Sequence, residues 1–190
     1  PKDLAEAAKW FRKSALQGDM LAQHALGVAY ENGAGVEQNL AEAADWYLKS
    51  AEQGFATAQN SLGHVYLSSK ASAEPYPEAV NWYRRVYHLD QKLGVVQDFN
   101  EAKKWFLRAA KQGDRLALFN LGLINENGLG APGDIVEAYK WYSLAVSLAS
   151  VEQPAEFRDN VIKRRSLLAQ NMTKQQIETA EALATTWKIE

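Results

Sequence analysis

The chain has 190 residues, with 21 lysine and arginine side chains against 23 aspartate and glutamate side chains, and it contains no cysteine. A formal net charge of −2 does not favour nucleic-acid binding through a basic patch, and the lack of cysteine excludes disulfides, thiol catalysis and thiolate metal sites. No stretch approaches the roughly 18 to 20 uninterrupted apolar residues of a membrane-spanning helix, so no membrane span is expected.

The first predicted helix begins at Asp3 and contains Trp10. Asp followed three residues later by Glu is typical of a helix N-terminus, because the Asp side chain accepts hydrogen bonds from free backbone amides. The Glu is expected to satisfy a cap donor and to interact favourably with the helix dipole. Gly18 predicts the end of this helix. A second helix contains Leu26-Gly27, and its glycine is expected to let two helices approach closely, since a mid-helix glycine otherwise costs about 1 kcal/mol. The following Asn32-Gly33-Ala34-Gly35 predicts a loop with positive φ angles.

The same pattern recurs along the chain and is marked by tryptophan. Trp10, Trp46 and Trp82 are each 36 residues apart, as are Trp105 and Trp141, whereas Trp82 and Trp105 are only 23 apart. Each of these five tryptophans has Glu four residues before it, Ala three residues before it and an aromatic residue directly after it. This regularity predicts a helix-turn-helix repeat of 36 residues over residues 1–149, with starts near residues 3, 39, 75, 98 and 134.

The predicted array is irregular between residues 67 and 93. The 13 residues that are missing between Trp82 and Trp105 correspond to one second helix with its Leu-Gly pair. Either the third repeat lacks that helix or the sequence lacks the residues that would form it, and the restored 36-residue spacing favours the second explanation. The preceding loop has two prolines in place of the glycines. Such segments often contact partners in solenoids, although ordinary loop variation is the simpler interpretation.

Residues 150–190 depart from the pattern and are predicted to form C-terminal capping helices. Thr173 and Gln176 would form a capping box at the start of the last helix, which leads to Trp187. A solenoid needs such helices to cover its last apolar face. At the other end, the chain starts at the cap of a first helix. This start predicts at least a loop upstream, with further repeats as a second option.

The recurring pattern Ala-x-x-Trp-Tyr/Phe, then Gly, then Ala-x-x-x-Leu-Gly-x-x-Tyr and Asn-Gly-x-Gly resembles the Sel1-like repeat family, a relative of the tetratricopeptide repeats. The resemblance implies an all-α fold, a right-handed α/α solenoid whose first helices line a concave surface. The segment from Asn171 through Trp187 also resembles the terminal helix of many bacterial members. The resemblance therefore favours a bacterial periplasmic or secreted protein, with the compartment itself undetermined.

Sequence motifs of common enzymes do not occur in the chain. There is no His-Glu-x-x-His, Ser-x-x-Lys or Gly-x-Ser-x-Gly, and His24, His64 and His88 fall at different repeat positions, which favours packing or surface roles. The run from Gly128 to Gly133 formally matches the dinucleotide fingerprint, but it follows a predicted helix where that fingerprint needs a strand. We therefore expect no enzyme activity, no catalytic residue, no cofactor and no metal.

Basic residues two and three positions after the tryptophans are the candidate partner-binding residues: Arg12, Lys13, Lys49, Arg84, Arg85 and Arg108. On successive first helices they would form a basic groove for an acidic or extended peptide. The alternative is favourable charge near helix C-termini on a solvated face, worth a few tenths of a kcal/mol each. Leu48, Leu107 and Leu144 interrupt the series and favour this alternative.

The sequence and the resemblance together predict a non-catalytic scaffold or adaptor that presents its concave surface to a partner protein or peptide. Two other functions stay open. One is a bacterial envelope protein that binds or weakly processes peptidoglycan or another glycan. The other is a structural repeat unit that forms homo-oligomers. No nucleic-acid partner is expected, and the sequence does not name the protein partner, because solenoid surfaces vary while their packing positions repeat.

Overall fold

The computed structural model of the chain describes residues 3–68, 97–148 and 155–190. Within these ranges the chain forms only helices and connecting turns. They are α1 (Leu4–Ala15), α2 (Met20–Asn32), α3 (Leu40–Glu52), α4 (Ala56–Ser68), α5 (Phe99–Lys111), α6 (Arg115–Asn127), α7 (Ile135–Ser147), α8 (Ala155–Ala169) and α9 (Lys174–Thr186). None of these helices combines the length and the apolar character that crossing a membrane requires.

The chain divides into two compact units, Pro1–Trp105 and Phe106–Glu190. In the first unit α1 packs on α2, α2 on α3, and α3 on α4. In the second unit α6 packs on α7, and α7 is covered by both α8 and α9. The predicted all-α fold of helix-turn-helix repeats with terminal capping helices is confirmed.

The predicted helix starts are confirmed by side-chain caps. Asp3, Asn39, Asp98 and Asp134 each precede a first helix and accept hydrogen bonds from amides in its first turn. At α5, for example, Asp98 Oδ1 lies 2.9 Å from the amide nitrogen of Asn100 and 3.0 Å from that of Glu101. These caps satisfy amides that have no partner inside the helix, and they set the point at which each first helix begins.

The first-turn glutamates differ from the expectation that they satisfy cap donors. Glu101 instead pairs with Lys104 at 3.0 Å, and Glu137 pairs with Lys140 at 3.1 Å. The cap amide itself is already used, because it donates to a carbonyl of the preceding second helix. Three of the first helices show this bond: Asn39 to Tyr30, Asp98 to Tyr66 and Asp134 to Asn125, at 3.0, 3.1 and 2.9 Å. The predicted capping box of α9 is confirmed, with both of its bonds formed.

The glycines of the loops after the second helices adopt the predicted positive φ angles. Gly33 ends α2 with φ of 66°, and Gly128 ends α6 with φ of 64°, both in the left-handed region. Residues other than glycine rarely adopt this conformation, which explains why Asn-Gly occurs at both positions.

Trp46 and Trp105 pack against the preceding repeat within the first unit. Trp46 of α3 contacts a cluster formed by Ala15, Ala22 and Leu26. Trp105 belongs to a cluster that contains the residues at the same positions of the next repeat: Ala51, Ala58 and Leu62. Small alanine side chains at these positions leave room for the indole between two repeats.

The residues that precede α5 contact α4 as those that precede α3 contact α2. Gln97 Nε2 donates to the carbonyl of Leu67 at 2.8 Å, and Gln38 Nε2 donates to that of Glu31 at 2.6 Å. Together with the bond from Asp98 to Tyr66, these contacts place the start of α5 beside the end of α4 within the first unit. The predicted short third repeat, with its start near residue 75, lies outside the described residues, and the predicted repeat boundaries stay a prediction.

Candidate partner-binding surface

Four of the six candidate basic residues lie in described helices, and all four are exposed. Arg12 and Lys13 are in the last turn of α1, and Lys49 is in the last turn of α3. Arg108 is in the last turn of α5 and belongs to the second unit. The other two candidates, Arg84 and Arg85, fall outside the described ranges.

Two of these cations lie over tryptophan rings. Lys49 Nζ is 4.0 Å from the ring centroid of Trp46, and Lys13 Nζ is 5.2 Å from that of Trp10. In both cases the lysine follows the tryptophan by three residues, which places the two side chains on one helix face. A cation–π contact at an exposed site is worth about 0.5–1 kcal/mol. The ring therefore holds the amine in place while the amine stays accessible to an anionic group.

Arg12 is held by a different contact. Its Nη1 donates to the Tyr30 hydroxyl of α2 at 2.9 Å. This bond connects the end of a first helix to the second helix of the same repeat. Arg12, Lys13 and Lys49 are thus all exposed cations whose positions are set by an aromatic side chain.

The second unit holds a buried cation that the sequence did not indicate. Leu144 takes the place of the basic residue three positions after Trp141. Lys140 lies instead with its Nζ 4.1 Å from the Trp141 ring, and it pairs with Glu137 at 3.1 Å. Lys140 is only 9% exposed. It neutralises Glu137 within the α7 surface and is less available to a partner than Lys49.

The glycines of the Leu-Gly pairs permit close approach, as predicted. The ring of Tyr47 packs on Gly27, where an added Cβ would come within 2.5 Å of Cδ1. The ring of Tyr142 packs on Gly122 in the same way, and a Cβ there would overlap it. Each tyrosine thus fits against the backbone of the preceding second helix because that helix has no side chain at this point.

The same tyrosines donate hydrogen bonds to glutamates that sequence reasoning missed. Tyr47 donates to the Glu31 carboxylate, and Tyr142 donates to Glu126 Oε2 at 2.5 Å. Arg164 of α8 also binds Glu126, through Nη1 at 2.9 Å. The available signal was the Glu-Asn-Gly sequence 16 residues before each tyrosine.

Burial controls the ionisation of these pairs. It raises the pKa of both Tyr47 and Tyr142, and the neighbouring carboxylate raises each further. Burial also raises the pKa of Glu31, while the hydrogen bond from Tyr47 opposes that shift. Both hydroxyls therefore stay protonated near neutral pH and act as donors that connect neighbouring helices.

His24 of α2 lies beside Ser61 of α4. Nε2 of His24 lies 3.2 Å from Ser61 Oγ, and the imidazole packs against the rings of Tyr47 and Phe55 at 5.4 and 5.3 Å. Burial lowers the pKa of His24. These surroundings agree with a packing role between α2 and α4. In the part of the chain that the structure covers, no group of three or more His, Asp or Glu residues could hold a metal ion.

The stacked helix pairs, the tyrosine–glycine contacts and the exposed cations define a helical-repeat protein. The family model of the Sel1 repeat matches residues 1–19, 21–55, 56–90, 86–114 and 115–150. The chain therefore belongs to the Sel1 repeat family, and the resemblance seen in the sequence is confirmed. Proteins of this family generally mediate protein–protein interactions and are typically non-catalytic scaffolds.

Two fungal proteins resemble parts of the chain. The chitin synthase regulator SKT5 of Saccharomyces cerevisiae is 41% identical over 59 residues, which are 31% of this chain and 8% of that protein. The chitin synthase regulator SKT5 of Malassezia restricta is 44% identical over 52 residues, 27% of this chain and 4% of that protein. The similarity thus spans a small part of each regulator.

Two solved structures are similar over most of the chain. A Sel1 repeat protein from Oxalobacter formigenes has a TM-score of 0.60 and 26% identity, covering 94% of this chain and 69% of that one. The antigen c5321 of uropathogenic Escherichia coli, which displays an SLR fold, has 31% identity and a TM-score of 0.46, covering 95% of this chain and 40% of that one. The Oxalobacter structure supports the helical solenoid class.

Proposed function

We propose that the chain is a non-catalytic interaction scaffold that binds an acidic, extended segment of a partner protein through the exposed cations of its first helices. The observation that carries this proposal is the position of Lys49, whose amine lies 4.0 Å from a Trp46 ring that is itself 6% exposed. A pre-positioned cation loses less conformational entropy on binding than a free lysine does. Arg12 and Lys13 supply two further cations on α1.

The family and the relatives agree with this role. Sel1 repeats generally mediate protein–protein interactions, and a rigid array of helices presents side chains from successive repeats to one extended partner. The fungal relatives bear the name of chitin synthase regulators, and a non-catalytic adaptor is one way in which a protein can regulate an enzyme.

Charge reversal tests the proposal directly. The probe is a fluorescein-labelled Glu-rich peptide with alanine spacers, and its Gln counterpart measures binding that does not depend on charge. We expect Lys13→Glu and Lys49→Glu each to weaken binding of the Glu-rich peptide about two- to fivefold in fluorescence anisotropy, and their combination to weaken it further. Reversal of Arg84, Arg85 and Arg108 in the same assay tests the rest of the predicted groove.

The matched control is Lys174→Glu, which makes the same charge change on α9, where the side chain is 92% exposed. It should leave binding unchanged, and circular dichroism should show equal helicity for all variants. Unchanged binding by the Lys13→Glu, Lys49→Glu double variant would contradict the basic surface. Equal binding of the Glu-rich and Gln-rich peptides would contradict it as well.

A further inference from the structure

The last residues of the second unit form an extended segment that lies on the repeat surface. Helix α9 ends at Thr186, and Trp187 adopts an extended backbone conformation, with φ of −68° and ψ of 128°. Its ring meets that of Trp141 edge to face, with the ring centroids 4.8 Å apart. Lys140 Nζ lies 5.6 Å from the Trp187 ring. We call residues 187–190 the tail.

Two further tail residues contact the turn between α5 and α6. Ile189 Cγ2 lies 3.6 Å from the point where a Cβ on Gly113 would be. The amide of Glu190 donates to the carbonyl of Lys111 at 2.7 Å, and its carboxylate pairs with Lys111 Nζ, also at 2.7 Å. The tail thus binds through an indole, an aliphatic side chain, one backbone bond and one carboxylate.

Apart from the partly buried Trp187, the contacts of the tail are exposed and do not hold it permanently. Ile189 is 46% exposed, and both partners of the ion pair between Lys111 and Glu190 remain largely in solvent. An exposed ion pair contributes about 0–1 kcal/mol, and a single backbone hydrogen bond contributes about as much. Segments with so few buried contacts open at low free-energy cost.

The equivalent position is open in the first unit. Gly18 and Gly54 correspond to Gly113 in the repeat, and apart from their chain neighbours no atom of the described residues lies within 4 Å of a Cβ placed on either. The residues that correspond to Lys111 are Leu16 and Glu52, neither of which attracts a carboxylate. Of these three positions, only the one in the second unit therefore has a positive charge that complements the acidic residue of the tail.

We propose that the tail is an intramolecular ligand that occupies a peptide-binding site of the second unit. The site is formed by Lys111, Gly113, Lys140 and Trp141. Its partner is an extended protein segment with the tail's chemistry, namely a large aromatic residue followed two positions later by an aliphatic residue and then by an acidic one. This inference rests on the proposed scaffold function, names a partner chemistry for it, and adds that partner and tail compete.

A peptide competition assay on the full chain tests this inference. The probe is a fluorescein-labelled, amidated peptide with the sequence of residues 184–190. The variant Trp187→Ala, Ile189→Ala releases the tail and should bind the probe about tenfold more tightly than the wild type does, because the wild-type site is occupied for most of the time. A probe carrying Trp187→Ala should not bind. Equal binding by wild type and released variant, or no binding by the released variant, would overturn the inference.

The ion pair provides a control through charge exchange. Lys111→Glu in the released variant should weaken binding of the probe. A probe carrying Glu190→Lys should restore binding to that variant. If the released variant loses helicity, the test is made on the wild type instead, by measuring hydrogen exchange at the Glu190 amide. Excess unlabelled peptide should accelerate that exchange by displacing the tail, and an unchanged rate would contradict the competition.

The two proposals fail in different ways. If the tail peptide does not bind but the Glu-rich peptide still requires Lys49, the intramolecular ligand is wrong and the scaffold proposal stands. If neither peptide binds, the proposed function itself is contradicted.

Discussion

Helices α1 and α7 are both the first helix of a repeat, and in each a tryptophan is followed by a second aromatic residue. The two aromatic pairs lie in opposite environments. Trp10 is 59% exposed and Phe11 is 39% exposed, whereas Trp141 is 3% exposed and Tyr142 is completely buried. In α3 the corresponding tryptophan is buried by Ala22 and Leu26 of the preceding second helix. No described helix precedes α1. Burial of the aromatic pair is thus a property of two adjacent repeats, because one repeat cannot cover its own tryptophan.

Removal of the aromatic residue that follows the tryptophan should give the largest difference in stability loss between the two helices. Tyr142→Ala deletes a fully buried ring and leaves Glu126 with one partner fewer, so we expect the free energy of unfolding to fall by about 3–5 kcal/mol. Phe11→Ala removes a ring that is already partly in solvent and should cost about 1 kcal/mol or less. Urea denaturation followed by circular dichroism measures both, and equal losses would contradict the comparison.

The packing of a tyrosine ring on the second helix can also be tested by changing the glycine under the ring. Gly27→Ala places a Cβ against the Tyr47 ring, so we expect a net loss of about 1–3 kcal/mol despite the better helix propensity of alanine. The neighbouring Val28 is exposed, and Val28→Ala serves as the control with a change of about 0.5 kcal/mol or less. A higher melting temperature for Gly27→Ala would show that the contact does not limit packing.

The units also differ in histidine, since His24, His64 and His88 all lie in the first. Burial lowers the pKa of His64 to about 3, so between that value and about 6.5 the unfolded chain binds a proton that the folded chain does not. Stability is therefore complete above pH 6.5 and is lost as the pH falls. From pH 7.5 to 5.5 this histidine should cost about 1.4 kcal/mol. His64→Gln should remove that part of the pH dependence in urea titrations, and an unchanged slope would contradict it.

The smallest energetic effect is expected at Trp10. Trp10→Phe should change the free energy of unfolding by about 0.5 kcal/mol or less, because the ring is mostly in solvent. It should nevertheless remove a large part of the fluorescence that acrylamide quenches. Trp141→Phe removes a buried indole and should leave the intensity of the quenchable fluorescence unchanged. An unaltered quenchable intensity after Trp10→Phe would mean that this ring is covered in solution.

Local features of the fold could be predicted from the sequence. The caps Asp3, Asn39, Asp98 and Asp134, the glycine ends of the second helices and the close approach at Leu-Gly all appear in the structure as expected. These features depend on hydrogen bonds or steric limits within a few residues, so a short stretch of sequence contains all the information that they need.

The candidate site was predicted less completely. The positions of Arg12, Lys13 and Lys49 at helix ends followed from their spacing, but the aromatic partner of Arg12 did not, because Tyr30 lies on another helix. The first-turn glutamates were assigned to cap donors, although the cap amide donates to the preceding second helix. That carbonyl comes near only when two repeats pack together.

The sequence alone determined the repeat unit, the helical class, the ends of most helices and the family to which the chain belongs. The tertiary structure decided which aromatic pairs are buried, that Glu31 and Glu126 bind tyrosines, and that the tail lies on Lys111 and Trp141. The physical reason is the range of the interactions. Helix periodicity and capping act along one segment, whereas burial, charge pairing and tail binding depend on surfaces that distant segments bring together.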